Sequence, residues 1–399
     1  MDQNIETYDV IIVGGGIAGL AAVNSLQNSF LKILLLERKP KIMDVNRGDT
    51  LYPHTLDILN KWGIRDRLLQ KGAVKSNKIE IFQDPDITVP LDIISLDRHE
   101  NNFLLSLNHE LIEEAMSENI TSPNVTTING ANVTKIIEEN GNYSKLTYNL
   151  HGQEVSVNTK LIIAADGRDS LLRHQAEIQY DTYDFHFVIV ILDSTPPANF
   201  SGQSMFVYGK DHEIIVGPLP NNRVRLSLII PESETTTWMK MNDDEISAAI
   251  ASQSVIFQDS KVMKSVSHIY EIRSSLAQNL AKNNLVLIGD SAHTVHPISG
   301  QGMALAVSDA DLVAEKILSL VQNSTFTTEN ISSSLSQYSN DRIPYVKKLQ
   351  DEIISLGNLL ISENRVKDLT RIFMLHMIHE VPDFEHKIES ILQAEEEKF

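Results

Sequence analysis

An α/β fold is predicted for this 399-residue chain: a Rossmann-like dinucleotide-binding domain, an inserted antiparallel β-sheet domain and a C-terminal helical segment. Three observations predict it. Short apolar runs end in glycine-and-acid clusters at three places: Gly14-Gly15-Gly16-Ile17-Ala18-Gly19, then Asp166-Gly167-Arg168-Asp169-Ser170-Leu171-Leu172-Arg173, then Gly289-Asp290-Ser291-Ala292-His293 with Pro297 and Gly300-Gln301-Gly302 behind it. Between the second and third clusters, residues 183–231 alternate as strands with one buried face do. From about residue 346 the apolar spacing turns helical, with Ile353, Ile354, Leu356, Leu359 and Leu360, then Leu369, Ile372, Phe373 and Met377.

The first cluster follows Tyr8-Asp9-Val10-Ile11-Ile12-Val13, an apolar run suited to a buried parallel strand. Gly14 permits the tight turn, Gly16 lets the backbone approach a pyrophosphate, and Gly19 lets the next helix sit close to the sheet. That helix begins at Ile17 and Ala18 and runs to Gln27. Its first N–H groups and its dipole form a site for phosphate. A second strand, Lys32 to Leu36, delivers Glu37 eighteen residues after Gly19. The ribose-binding acid of such a unit stands roughly 20 residues on. An acid there accepts both ribose hydroxyls, which favours FAD or NAD over NADP.

The later clusters decide between FAD and NAD. Leu161 to Ala165 and Leu285 to Ile288 are buried-strand runs that deliver Asp166 and then Gly289-Asp290. Ligands of open α/β sheets lie beyond the carboxyl ends of the strands. Two more acids arriving there imply a ligand longer than adenosine. Gly300-Gln301-Gly302-Met303 opens another helix, whose positive end suits the negative charge of a reduced flavin.

These motifs resemble the single-component (class A) flavoprotein monooxygenases of the p-hydroxybenzoate hydroxylase fold, over roughly residues 8 to 345. Asp166, Gly167, Ser170 and Arg173 match that family's Asp-Gly-x-x-Ser-x-x-Arg motif, and Gly289, Asp290, Ala292, His293, Pro297, Gly300, Gln301 and Gly302 match its Gly-Asp and Pro-x-x-Gly-Gln-Gly motifs. The resemblance implies that Glu37 binds ribose, Arg38 lies by adenine, Arg47 lies near the pyrophosphate or ribityl chain, and Asp290 bonds the ribityl-pyrophosphate region. It implies that Asp166 serves both FAD and a passing nicotinamide. Ala304 stands where many members have Asn, and Asn108 where many have Arg or Gln. His296 before Pro297 resembles the ubiquinone-hydroxylase and squalene-epoxidase branches.

The implied reaction uses NAD(P)H and O₂. NAD(P)H reduces the flavin, O₂ adds at its C4a carbon, and the hydroperoxide hydroxylates or epoxidises an apolar, aromatic or quinone-like molecule. Pro297 and the Ser299–Gly302 backbone are expected to line that oxygen. A phenolic substrate needs an acid-base residue, and His54 or His296 is the candidate. A flavin-dependent reductase of isoprenoid double bonds and a non-catalytic FAD-binding protein remain as alternatives. A flavin halogenase is disfavoured, because its Trp-x-Trp motif is missing and Trp62 and Trp238 lie far apart.

Composition bounds the rest. The chain carries 34 Lys and Arg against 53 Asp and Glu, a net charge of −19, which argues against nucleic acid. It has no Cys, so disulfides and thiol metal sites are excluded. The histidines near candidate chemistry, His54, His109, His212, His293 and His296, lack the spacing of a helix-borne metal pair. No stretch reaches the roughly 18 apolar residues of a membrane span. The polar start runs straight into the first strand, so a cytoplasmic enzyme, monomer or homodimer, is expected. Residues 1–73, 100–172 and 270–345 are assigned to the FAD-binding domain, 74–99 and 173–269 to the substrate sheet, and 346–399 to the helical segment.

Overall fold

The computed structural model describes residues 5–42, 48–83, 87–92, 100–264, 269–297 and 300–360. At its centre five strands run parallel in the order β19 (Leu285–Leu287), β11 (Gln153–Ala164), β1 (Thr7–Val13), β2 (Ile33–Glu37) and β8 (Val125–Asn129). Val10, Ile11, Ile12, Ile33, Leu34 and Leu161 to Ile163 have no exposed surface, as a sheet covered on both faces requires. β18 (Ala281–Lys282) edges β19 antiparallel. The first half of β11 leaves the parallel core and pairs with β10 (Asn142–Leu150), which pairs with β9 (Asn132–Glu139).

Helix α1 (Ile17–Leu26) follows β1 and packs on α8 (Gln301–Gln322) and α4 (His109–Glu118). Its small residues Ala18, Ala21 and Ala22 allow that close approach. Helices α2 (Pro53–Lys61) and α3 (Arg65–Gln70) lie between β3 (Gly48–Leu51) and β4 (Val74–Ser76), and both of these strands pair antiparallel with β7 (Leu104–Asn108).

The second large sheet runs β20 (His293–Thr294), β17 (Ile269–Ala277), β12 (Tyr180–Ser194), β15 (Arg223–Pro231), β14 (Glu213–Leu219), β13 (Ser204–Tyr208), β5 (Lys78–Gln83) and β6 (Ile87–Asp92), with β16 (Val262–Lys264) also on β12. Its strands come from separate parts of the sequence. Asn221 and Asn222, at φ 63° and 53°, make the β14–β15 hairpin turn. Pro220, Asn221 and Asn222 form the three-residue connection, and Asn tolerates the left-handed region.

Two segments pair differently from their sequence assignment. β17, read with the FAD-binding segments, pairs along β12 in the second sheet, and β4, read with the substrate sheet, pairs with β7. In short strands such as these, the hydrogen-bond partner is a tertiary choice that local alternation does not encode.

The side-chain period of two splits the second sheet into two faces. Val188, Val190, Leu192, Val224, Leu226 and Leu228 pack with Trp238 of α6 (Thr235–Trp238), Ile246 and Ile250 of α7 (Asp243–Ala251), and Phe257. The opposite face carries Ile189, Ile191, Ile229, Phe185 and Ile272, with Ile354 of α9 (Thr328–Leu360) against it. On this sheet β14 lies against β3 and β7.

α9 begins at Thr328, well before the expected start near 346. Its first half buries Ile331, Leu335 and Tyr338, and its second half clusters Val346, Leu349 and Ile353 with Val295 and Leu305. The expectations at Leu369, Ile372, Phe373 and Met377 lie outside the described residues. No described helix is long and apolar enough to cross a membrane.

Candidate active site

The glycine turn after β1 is set by backbone contacts. Gly14 has φ 104°, and a Cβ on it would lie 2.2 Å from the Ala165 carbonyl oxygen. A Cβ on Gly19 would lie 1.8 Å from the Gly14 carbonyl oxygen. Both positions therefore require glycine. Gly16 caps α1 with no side-chain hydrogen bond, so the first N–H groups of the helix stay available to an anion. Ile17 and Ala18 form that first turn and are buried. Glu37 ends β2, and its carboxylate accepts from the backbone N–H of Gly15 and, at 2.6 Å, from that of Lys39. Arg38 follows, exposed.

The second and third clusters form one unit. Asp166 accepts from Ser170 Oγ at 2.6 Å and from Leu172 N–H at 3.1 Å, which caps α5 (Leu171–Gln175). Burial pushes its carboxyl up, against the pull of these bonds and of Arg173. Arg173 donates to the carbonyls of Ser291 and Arg168, each at 2.8 Å, and stacks on Tyr180. Gly289, at φ 60°, sits between two helices: a Cβ there would be 2.8 Å from Ala18 Cβ and 3.2 Å from Ala306 Cβ. α1 and α8 converge through that missing side chain. Asp290 follows and is exposed.

α8 opens at Gly300, at φ 64°, again with no side-chain cap. Gly300 N–H donates to the Pro297 carbonyl at 2.9 Å, and Pro297 itself is exposed. Gln301 and Met303 are buried, and a Cβ on Gly302 would meet nothing closer than Val295 at 3.9 Å. Ser299 and Arg47 lie outside the described residues. Asn108 ends β7 before α4 and donates to Glu110 Oε1 at 2.9 Å. His54 is half-buried at the second position of α2.

His296 is the second acid-base candidate. It is buried, edge-on to Phe185 with ring centroids 4.4 Å apart, and burial drives its pKa down to about 3. An imidazole that resists protonation to that degree is a poor acceptor for a phenol proton near pH 7. The ring is held against Phe185 in this arrangement, which disfavours it as the base.

Sequence reasoning missed a buried charge cluster behind the turn. Asp309 of α8 has no exposed surface, and its carboxylate holds His293 Nε2, Arg342 Nε and the N–H of Gly289, each at 2.8 Å. Burial alone would raise its pKa, but His293 and Arg342 outweigh it and hold the value at about 2. The one available signal was an acid inside the apolar run from Ala304 to Ala310. Glu113 of α4 was missed too. It is buried, pairs with His109 at 3.3 Å, and lies 3.7 Å from where a Cβ on Gly16 would be.

Residues 7–352 match a protein family described as FAD binding domain. The chain belongs to that family. It is an FAD-dependent oxidoreductase of the class A flavoprotein monooxygenase group, and several of its relatives are named as monooxygenases or hydroxylases. It is 26% identical over 308 residues to 6-methylpretetramide 4-monooxygenase of Streptomyces rimosus, covering 76% of this chain and 73% of that protein. It is 22% identical over 385 residues to a ubiquinone hydroxylase of Neisseria meningitidis, covering 94% of this chain and 82% of that protein. An uncharacterised aromatic compound monooxygenase of Bacillus subtilis is 23% identical over 350 residues, and the match spans 86% of this chain and 66% of that protein's length. Among solved structures, p-nitrophenol 4-monooxygenase of Pseudomonas putida superposes with a TM-score of 0.83 at 18% identity, over 98% of this chain and 99% of that one. The residues present fit FAD: α1 and α8, both with uncapped N-termini, pack on each other through Gly289, with one acid at the end of β2 and one exposed acid directly after Gly289.

Proposed function

We propose that the protein is an FAD-dependent aromatic hydroxylase that uses NAD(P)H and O₂. The observation that carries this reading is the convergence of α1 and α8 through Gly289, with Phe185 of the second sheet's apolar face against His296, just ahead of α8. One helix end suits a pyrophosphate and the other suits an electron-rich ring. When bound, FAD supplies the redox chemistry, accepting hydride from NAD(P)H and activating O₂.

In this reading the chain's own residues bind, orient and exclude water. The N–H groups from Gly16 to Gly19 hold the pyrophosphate. Glu37 exchanges its bond to Gly15 for the ribose hydroxyls, with Arg38 beside the adenine. Asp290 takes the ribityl-pyrophosphate region, and the N-terminus of α8 from Gly300 to Met303 faces the flavin ring. Pro297 lines the space between ring and substrate. Ile191, Ile229 and their neighbours supply an apolar, dry wall, which strengthens the dipoles aimed at the reacting atoms.

Two outcomes test this. Asp290→Ala should weaken FAD binding about ten- to hundredfold, the cost of roughly 1–3 kcal/mol for unpaired polar groups. Titration of apo-protein with FAD measures it, and unchanged affinity removes Asp290 from the site. With a productive phenol, label from ¹⁸O₂ should enter the product and label from H₂¹⁸O should not. Anaerobic hydride transfer to a substrate double bond would favour the reductase reading instead. NAD(P)H oxidation that yields only H₂O₂ across a panel of aromatic compounds would count against a hydroxylase.

A further inference from the structure

Tyr52 follows β3 and caps α2, where its carbonyl accepts from Leu56 N–H at 2.9 Å. The side chain is only 6% exposed. It packs with Leu104, and Ile79 of the second sheet leans on the pair. Its ring lies on the first turn of α8: a Cβ on Gly300 would meet Tyr52 Cε2 at 3.0 Å and the hydroxyl oxygen at 3.1 Å. That hydroxyl has no hydrogen-bond partner among the described residues, and burial is the sole influence on its acidity.

The ring is fixed by packing, so the unpartnered hydroxyl is held in place at the start of α8 and can offer a hydrogen bond to whatever lies there. The hydroxyl stands at an uncapped helix N-terminus, between the FAD-binding half and the second sheet. We infer that the Tyr52 hydroxyl donates a hydrogen bond to an oxygen atom of a molecule bound at the start of α8. Burial pushes the phenol well above its ordinary range, so it stays protonated and can serve as a donor throughout the neutral range. The matching group is a carbonyl or phenolate oxygen. It belongs either to the flavin ring or to an aromatic substrate lying against it. The inference rests on FAD occupying the N-terminus of α8.

Tyr52→Phe separates these cases. The ligand-free variant should melt no lower than wild type, because it loses a hydroxyl that has no partner there. If the acceptor is on the flavin, FAD affinity of the apo-protein should fall about three- to tenfold, the worth of one hydrogen bond. FAD should then raise the melting temperature of the variant less than that of wild type. If the acceptor is on the substrate, FAD affinity should stay within twofold. The 4-nitrophenol concentration that half-perturbs the flavin spectrum of the loaded protein should then rise by the same three- to tenfold, again about one hydrogen bond. Unchanged FAD affinity overturns the inference if 4-nitrophenol binds both proteins equally or fails to bind wild type. A ligand-free variant that melts lower and binds both probes as wild type does would make Tyr52 a packing residue only. Wild-type apo-protein that takes up no FAD would overturn the cofactor reading itself, a result distinct from equal binding by the two proteins.

Discussion

Gly19→Ala should leave a protein that neither folds stably nor retains FAD. The added Cβ would sit 1.8 Å from the Gly14 carbonyl oxygen, and the obstacle is backbone. Gly14 cannot retreat, because its own Cα lies against the Ala165 carbonyl and its N–H is bonded to Leu36. Relief requires α1 to lift from the parallel sheet, which opens the main core. Overpacking of a tight core costs about 1–3 kcal/mol, and a clash against fixed backbone lies at or beyond the upper end. Gly16→Ala is the control. Its Cβ would meet only Glu113 Oε1 at 3.7 Å, so the apo-protein should fold and melt near wild type. FAD affinity should still fall, because the methyl stands where the pyrophosphate must approach. Thermal melting and FAD titration of the two variants check this. A Gly19→Ala protein with wild-type melting and yellow colour would mean that the turn is laxer than its contacts imply.

Asp309→Ala should cost about 3–5 kcal/mol of stability, the typical result of removing one partner from a buried ionic cluster. It strands the Arg342 guanidinium without its carboxylate and leaves the Gly289 N–H without its acceptor. Because Gly289 is the contact between α1 and α8, the loss should reach the cofactor site, and FAD affinity should fall with stability. Asp309→Asn keeps an acceptor for Gly289 and loses the charge, so it should fall between alanine and wild type. Denaturant unfolding of the apo-proteins ranks them. The wild-type pH profile carries a matching signature. The folded Asp309 carboxyl is depressed from 3.8 to about 2, so its contribution to stability is complete above pH 4 and is lost as pH falls through 2. Asp309→Ala should lack that component of the acid loss. Equal stability of all three proteins would show that the cluster carries no net structural weight.

The glycine turn, Glu37 and the Gly-Asp turn were legible in the sequence because each is a local requirement. Gly14 needs positive φ, Gly19 needs the absence of a Cβ, and Glu37 needs only to end the next strand. The alternation along Tyr180–Ser194 and Arg223–Pro231 likewise reports one buried face, whichever strand lies beside it. The pairing of Ile269–Ala277 along β12 was not legible, since register is settled between strands. Nor was the start of α9, whose polar first half is held by packing on the sheet rather than by a continuous apolar pattern.

The sequence by itself determined the α/β class, the three motif turns and the dinucleotide chemistry, because backbone sterics and side-chain periodicity act over a few residues. Only the tertiary structure decided that His293 and Arg342 share the buried Asp309 carboxylate, that Tyr52 lies on Gly300, and that His296 is buried against Phe185. Those properties depend on distances between residues far apart in the chain and on the removal of water around them, and neither exists until the sheets and helices have packed.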